Sequence, residues 1–273
     1  MLSSSSEPCA HWLQQFSSVQ IPVLRATRDA LASWQAVPDR VSANALADVI
    51  LRDPLMTLRL LTFVTQRLGS RLKTPVETVT AGLVLVGIEP FFREFAGLPV
   101  LEERLAAQPG ALAGALQAIE RSHRAACFAA AFAVHRLDED AEVLHQAALL
   151  DNFAGLLLWC EAPEQALEMA ARQQADPGLR SAEVQQAVLG VEVAELERGL
   201  MEAWGLPPFL RSMTDPKLAV HPGPHSVMLA VRIARHSQAG WDNPALPDDF
   251  TELGVLLNLT PVAAEQLVRL ADA

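Results

Sequence analysis

Leucine, valine and alanine recur at three- and four-residue spacing along most of the chain. Polar caps, prolines and glycines cut that recurrence into short lengths. The spacing puts apolar side chains on one face of an α-helix, and the cutting residues mark where helices begin and end. Leu24, Thr27, Leu31 and Trp34 share one face of a first helix, with Arg25, Arg28 and Asp29 opposite. Ser42 can cap the next, whose apolar face is Leu46, Val49 and Ile50. Asp53-Pro54 is a helix start in which the carboxylate caps and the proline fills the first turn. Leu55, Leu58, Leu60, Leu61, Phe63 and Val64 follow, apolar nearly all round, which predicts a central helix. No convincing alternation predicts a strand, and no fixed-period repeat stands out. The pattern predicts an all-α, multi-helical chain.

The punctuation continues downstream. Gly69, Ser70 and Pro75 mark a loop flanked by Arg67, Arg71 and Lys73, the one basic cluster. A short helix is predicted from about Thr78 to near Gly87, and Glu89-Pro90 opens another. Pro99 to Gly110 is the predicted seam between lobes. Ala111 to Val134 and His145 to Cys160 are long apolar stretches, and helices are predicted from Ser181 to Gly190 and from Ala194 to Trp204. Val227, Val231 and Ala234 line one face of a helix whose other face carries Arg232, Arg235 and His236. Thr260-Pro261 caps a last helix with Ala263, Leu267 and Leu270 predicted inward.

Composition narrows the function classes. At 51% apolar and 19% charged, the 273 residues can bury a sizeable core. A net charge of −11 argues against sequence-blind affinity for nucleic acid or anionic lipid, which want a surplus of cations. Cys9, Cys127 and Cys160 form no C-x-x-C pair, so neither a disulfide framework nor a zinc clip is indicated. The longest apolar run, Ala125 to Val134, is too short to span a bilayer, which takes about 20 residues. The first residues lack the regions of a signal peptide, and a cytoplasmic protein is expected.

Motifs for chemistry are scarce. There is no Gly-rich phosphate loop, no G-x-S-x-G and no H-E-x-x-H. His221 and His225 lie four apart, but Pro222, Gly223 and Pro224 separate them, so solvated imidazoles in a turn are expected rather than a metal pair on a helix.

Several segments, in order, carry a resemblance. Ile21-Pro22-Val23-Leu24, then Ile50-Leu51-Arg52-Asp53-Pro54-Leu55-Met56-Thr57, then Pro75-Val76-Glu77-Thr78-Val79 running to Gly87, resemble the HDOD domain of bacterial signalling proteins. Ala148 to Leu158 is similar to the His-Asp segment of HD-type phosphohydrolases. Val188-Leu189-Gly190 and Trp204-Gly205-Leu206-Pro207 are similar to later segments of the same pattern. The resemblance covers about residues 16 to 240. It implies a single HDOD-like domain over 1–273, with an N-terminal helical lobe over 16–108 and an HD-derived lobe with C-terminal helices over 109–273, the two packed together.

The departures from that pattern set the functional expectation. Asp151-Asn152 stands where the hydrolases place His-Asp, and Ser122 where their first metal-binding histidine falls, with His123 one residue on. Val193 replaces a later histidine, and Thr214-Asp215 a His-His pair. Thr65-Gln66 and Val86-Gly87 replace the family's Asn-Ser turn and Leu-Gly ending. HD hydrolysis needs a divalent metal to activate water and clamp phosphate, and imidazoles to hold it. The expectation is therefore a non-catalytic module for bacterial signal transduction, with no cofactor, acting on an unidentified signalling protein or a small ligand such as a nucleotide. A residual metal-dependent phosphohydrolase acting on nucleotides or cyclic dinucleotides is the alternative. Arg121, Ser122, His123, Asp151, Asn152, Thr214 and Asp215 are the candidate pocket residues, with no catalytic or metal role assigned. A purely structural reading puts Asp151 and Asn152 inside a helix and His123 at a solvated helix start beside Arg121 and Arg124. In it, Cys127, Cys160, Trp159 and Trp204 are core residues.

Overall fold

A computed structural model describes residues 7–69, 75–176 and 178–272. The described residues are 75% helical, and no strand occurs among them. Arg71 and Lys73 of the predicted basic loop lie outside those residues. Arg67 stacks over the Phe63 ring at 5.6 Å and lies 3.7 Å from Glu94.

Two compact units emerge, one made of residues 1–118 and 152–207, the other of 119–151 and 208–273. This is a different division from lobes over 16–108 and 109–273. Pro99 to Gly110 falls inside the first unit, because Pro109 begins a helix rather than a linker. That helix runs unbroken to Arg136, and the chain passes from one unit to the other within it.

In the first unit, α1 (Glu7–Ser17) and α2 (Arg25–Gln35) are followed by α3 (Ala43–Ile50), α4 (Pro54–Leu68), α5 (Val79–Val86), α6 (Ile88–Glu94) and α7 (Leu101–Arg104). Ser42, read from the sequence as a cap, does cap, and Thr78, at the predicted start of a helix, caps as well. Ser42 Oγ accepts from Ala45 N–H, and Thr78 Oγ1 from Ala81 N–H, each at 3.1 Å. Each such cap is worth about 1 kcal/mol. The core gathers Val23, Leu46, Ile50, Met56, Leu60, Leu83, Phe91 and Phe95, and Phe91 and Phe95 pack ring to ring at 4.8 Å. As expected for a central helix, α4 buries Leu55, Met56, Leu58, Leu60, Leu61 and Val64. A parallel bridge joins Val23 to Val100.

After α8 (Pro109–Arg136), the first unit resumes with α10 (Phe153–Glu161), α11 (Pro163–Ala175), α12 (Ser181–Leu189) and α13 (Val193–Ala203). Helix α10 packs on α4, α11 and α13, and α1 packs on α13. Trp12 Nε1 donates to Leu189 O at 3.1 Å, and Phe153 stacks on buried Trp204 at 6.0 Å. Trp159 is half-buried against Gly114, where an added Cβ would lie 2.4 Å from the indole.

The second unit comprises the rest of α8 with α9 (Ala141–Leu150), α14 (Pro208–Met213), α15 (Pro222–His236), α16 (Leu246–Leu257) and α17 (Pro261–Ala271). Helix α15 packs against α9, α14 and α16, and α16 against α17. Pro222 and Pro224 sit in the first turn of α15, where the missing N–H costs nothing. His221 is therefore the N-cap, and His225 lies on the helix with its Nε2 2.7 Å from Glu252, not solvated in a turn. Thr260 caps α17 as read, but the inward residues are Ala264 and Val268, and Leu270 is 77% exposed. Ala141–Glu161 has the length and apolarity of a membrane span, yet 72% of its most apolar 18 residues are buried in the fold and it comprises two helices.

Candidate functional site

The apolar stretch from His145 to Cys160 breaks between α9 and α10. Asp151 has extended backbone (φ −58°, ψ 128°) and Asn152 is left-handed (φ 66°, ψ 29°). Asparagine tolerates that region better than other side-chain-bearing residues. So Asp151 and Asn152 are not in a helix interior. They form the corner at which one helix stops and the next starts. The first turn of α10 leaves N–H groups without intrahelical partners. Asn152 gives no side-chain cap, and Glu197 of α13 takes its place. Its Oε1 accepts from Asn152 N–H at 3.1 Å and its Oε2 from Ala154 N–H at 3.0 Å. Glu197 is buried, and its charge suits the positive end of α10. The sequence reading missed it. The Asn152 amide folds over Gly155, where a Cβ would meet it at 2.7 Å.

Asp151 opens onto a cavity of about 210 Å³ in the second unit. Thr214 and Asp215 line it from the α14–α15 connection, and Val227, Met228, Val231, Arg232 and Arg235 from α15. Burial pushes the Asp151 carboxyl up to about 6, although Arg235 and Arg121 pull against that rise. Burial and the neighbouring Arg235 lower the Arg121 guanidinium, and Asp151 opposes them. Arg121 Nη1 also donates to Gln238 Oε1 at 2.8 Å. Thr214 Oγ1 donates to Leu210 O at 2.8 Å, and Asp215 Oδ1 accepts from Lys217 N–H at 3.0 Å.

The predicted residues thus divide. Asp151, Thr214 and Asp215 meet at the cavity, with Arg121 acting on Asp151. Ser122 is buried on α8, and His123 lies mid-helix rather than at a helix start. One residue of helix turns a side chain by about 100°. His123 Nδ1 lies 3.9 Å from Cys127 Sγ, and the imidazole bears on His145, which burial and His123 together push down to about 4. Asn152 belongs to the other unit and does not line the cavity.

Arg124, next to His123 on α8, is satisfied within the chain. It forms a two-pronged pair with Asp272 at 2.6 and 2.9 Å and stacks near Phe128 and Trp241. Cys127 is half-buried, and burial pushes the Cys160 thiol up to about 12. The residues missed at the cavity are Arg235, Met228 and Arg232. Their i, i+4, i+7 spacing with Val227 and Val231 is legible in the sequence, but the helical pattern assigns the valines to an inner face and the arginines to an outer one.

Arg232 is engaged elsewhere. It pairs with Asp249 at 2.7 Å and with Glu252, while His236 Nδ1 lies 2.6 Å from Asp249. Burial pushes the Glu252 carboxyl up, but Arg232 and His225 bring it net below its ordinary value. A more open depression in the first unit, about 700 Å³, is lined by Gln15, Pro99, Glu103 and Arg104, with Arg104 already paired to Glu161 at 2.7 Å.

The residues present do not fit a divalent ion. Among the described residues no three His, Cys, Asp or Glu side chains are grouped to hold one. Of the two half-buried carboxylates at the cavity, Asp151 faces two guanidiniums, whose charge repels a cation.

In a search of the curated proteins nothing matches this chain. Among solved structures, the fold is similar to the MmoQ response regulator from Methylococcus capsulatus str. Bath, with a TM-score of 0.70 and 22% identity over 93% of this chain and 99% of that one. It is also similar to a virulence factor from Campylobacter jejuni subsp. jejuni, at a TM-score of 0.65 and 17% identity over 93% and 91%. A third similar structure is an HDOD domain protein from Geobacter sulfurreducens, at 0.52 and 12% over 97% and 96%. The model of the HDOD domain matches residues 21–217, most of the chain. That match, on an all-helical fold shared with an HDOD structure, makes the chain a member of the HDOD family.

Proposed function

We propose that this HDOD protein is a non-catalytic signal-transduction module that works by binding a protein or a small ligand in the cytoplasm. One observation carries the reading. At the position where HD hydrolases hold metal, Asp151 is opposed by Arg121 and Arg235 instead of imidazoles. Such a site lacks the ligands that lower the pKa of a bound water. The fold likeness to a response regulator fits a signalling role. A cavity of about 210 Å³ falls below the roughly 300–1,000 Å³ of common ligand pockets, so an enclosed nucleotide is disfavoured.

The test pairs two measurements on protein purified without chelator. Elemental analysis is expected to find iron, manganese and zinc far below one equivalent. Phosphodiesterase assays with added manganese, on bis(p-nitrophenyl) phosphate and a cyclic dinucleotide, are expected to give no turnover above buffer. One equivalent of metal together with turnover abolished by D151N would overturn the reading.

A further inference from the structure

Of the three arginines near Asp151, two are held by other groups. Arg121 donates to Gln238, and Arg232 is paired with Asp249 and Glu252. Arg235 differs. Among the described residues it makes no ion pair, its one hydrogen-bond contact is His236 Nε2 at 3.5 Å, and it is exposed at the cavity, where its charge also bears on Asp151. From Arg235, the face of α15 runs back through Val231 and Met228 to Val227, all of which line the same cavity. A cation thus stands at one end of an apolar wall.

Arg235 is where an anion can be held. The cavity lining carries two carboxylates, Asp151 and Asp215, and two guanidiniums, Arg232 and Arg235. Arg232 is already paired with Asp249 and Glu252 of α16, which leaves Arg235 as the lining cation without an ion pair among the described residues. The space is small. About 210 Å³ is roughly seven water volumes at about 30 Å³ each, enough for a short organic acid. The apolar walls disfavour a doubly charged phosphate, whose desolvation nothing there offsets. A planar carboxylate suits a guanidinium, which can grip both of its oxygens.

We propose that this cavity binds a short-chain aliphatic carboxylate, with its anion on Arg235 and its hydrocarbon tail against Val227, Met228 and Val231. The inference rests on the non-catalytic reading, since a resident metal would take the same space. Binding would give the module a small-molecule input.

Titration calorimetry on the full chain tests it, with 3-methylbutanoate as probe and 3-methyl-1-butanol and inorganic phosphate as controls. A saturable heat is expected for 3-methylbutanoate and neither control. R235Q, which alters an exposed side chain, is expected to bind about tenfold or more weakly, the scale of a lost charged hydrogen bond. V231F, which fills the cavity, is expected to abolish binding, and both variants should retain the wild-type helical circular dichroism. No saturable heat, equal binding by R235Q or V231F, or equal binding of the alcohol or phosphate would overturn the proposal. The phosphodiesterase assay, run on the same samples, separates the two readings. No binding and no turnover removes only the carboxylate, whereas turnover removes the non-catalytic reading and this inference with it.

Discussion

At the head of α4, Asp53 commits both carboxylate oxygens to the backbone. Oδ1 accepts from Leu55 and Met56 N–H at 3.0 and 3.2 Å, Oδ2 accepts from Leu24 N–H at 2.8 Å, and the Thr27 side chain adds a further bond. Just ahead of α10, Asp151 does none of this. The N–H groups of that first turn go to Glu197, and Asp151 is left facing two arginines and a cavity. Both aspartates are followed by leucine-rich helices and look alike in sequence. The difference is who caps. Where an aspartate caps its own helix, its charge is absorbed by the fold. Burial raises both carboxyls, but at Asp53 hydrogen bonds oppose the rise, whereas at Asp151, where a distant residue caps instead, only the charges of Arg235 and Arg121 do, and the aspartate is free for a ligand.

The largest expected effect breaks that contrast directly. D53A removes the cap of α4 and leaves the N–H groups of Leu24, Leu55 and Met56 without acceptors in a buried setting. Each orphaned group costs about 1–3 kcal/mol, so a loss of about 3 kcal/mol or more is expected in urea unfolding. D151N, an isosteric change that stands in for the protonated carboxyl, is expected to lose no stability at pH 7 and to gain on the order of 2 kcal/mol there. Equal losses in the two variants would show that the two aspartates do the same job.

Next in size is the dependence of stability on pH, where Asp151 and His145 oppose each other. Asp151 rises from 3.8 to about 6 on folding, so between those values the folded chain holds a proton that the unfolded chain has released. That contribution makes stability fall as pH rises from about 4 to about 6. His145 drops from 6.5 to about 4, so there the unfolded chain holds the extra proton and stability rises with pH over nearly the same window. The two nearly cancel in the wild type. Relative to it, D151N is expected to gain stability from pH 4 to 6.5, and H145Q to lose it, each on the order of 2 kcal/mol. Unfolding curves for both variants at several pH values check this. Slopes that superimpose on the wild type would remove the account of both groups.

What the sequence made legible follows the same division between local and distant causes. The starts of α3, α4, α5 and α17 were readable because Ser42, Asp53, Thr78 and Thr260 each cap the helix that immediately follows. The start of α15 was obscured because proline breaks a helix interior yet suits a first turn. The inward face of α17 slipped by one residue, since Ala263, Leu267 and Leu270 fit a helical stripe nearly as well as Ala264 and Val268 do. The break at Asp151–Asn152 carries no glycine or proline and is flanked by leucine before it and phenylalanine after it. Its cap comes from Glu197, 45 residues away, which no local pattern reveals. Three of the seven candidate positions reached the cavity because chain order fixed Asp151, Thr214 and Asp215 at helix ends, where a side chain can face a gap between helices. Ser122 and His123 lie mid-helix, where rotation about the helix axis decides what each one meets.

The smallest effect sharpens the contrast at Glu197. E197Q keeps one acceptor oxygen and turns an amide N–H₂ toward a backbone N–H, so one of the bonds to Asn152 and Ala154 is lost and the helix end loses its favourable charge. A cost of about 1 kcal/mol is expected, well short of D53A, because one bond survives. If Glu197 caps on behalf of Asp151, the carboxyl rise at Asp151 should persist in E197Q, because the groups that set it are burial, Arg235 and Arg121. The pH dependence of E197Q should then match wild type after a constant offset. A changed slope would mean that Glu197 also sets the charge at the cavity, and that capping and ligand binding at this corner are not separable.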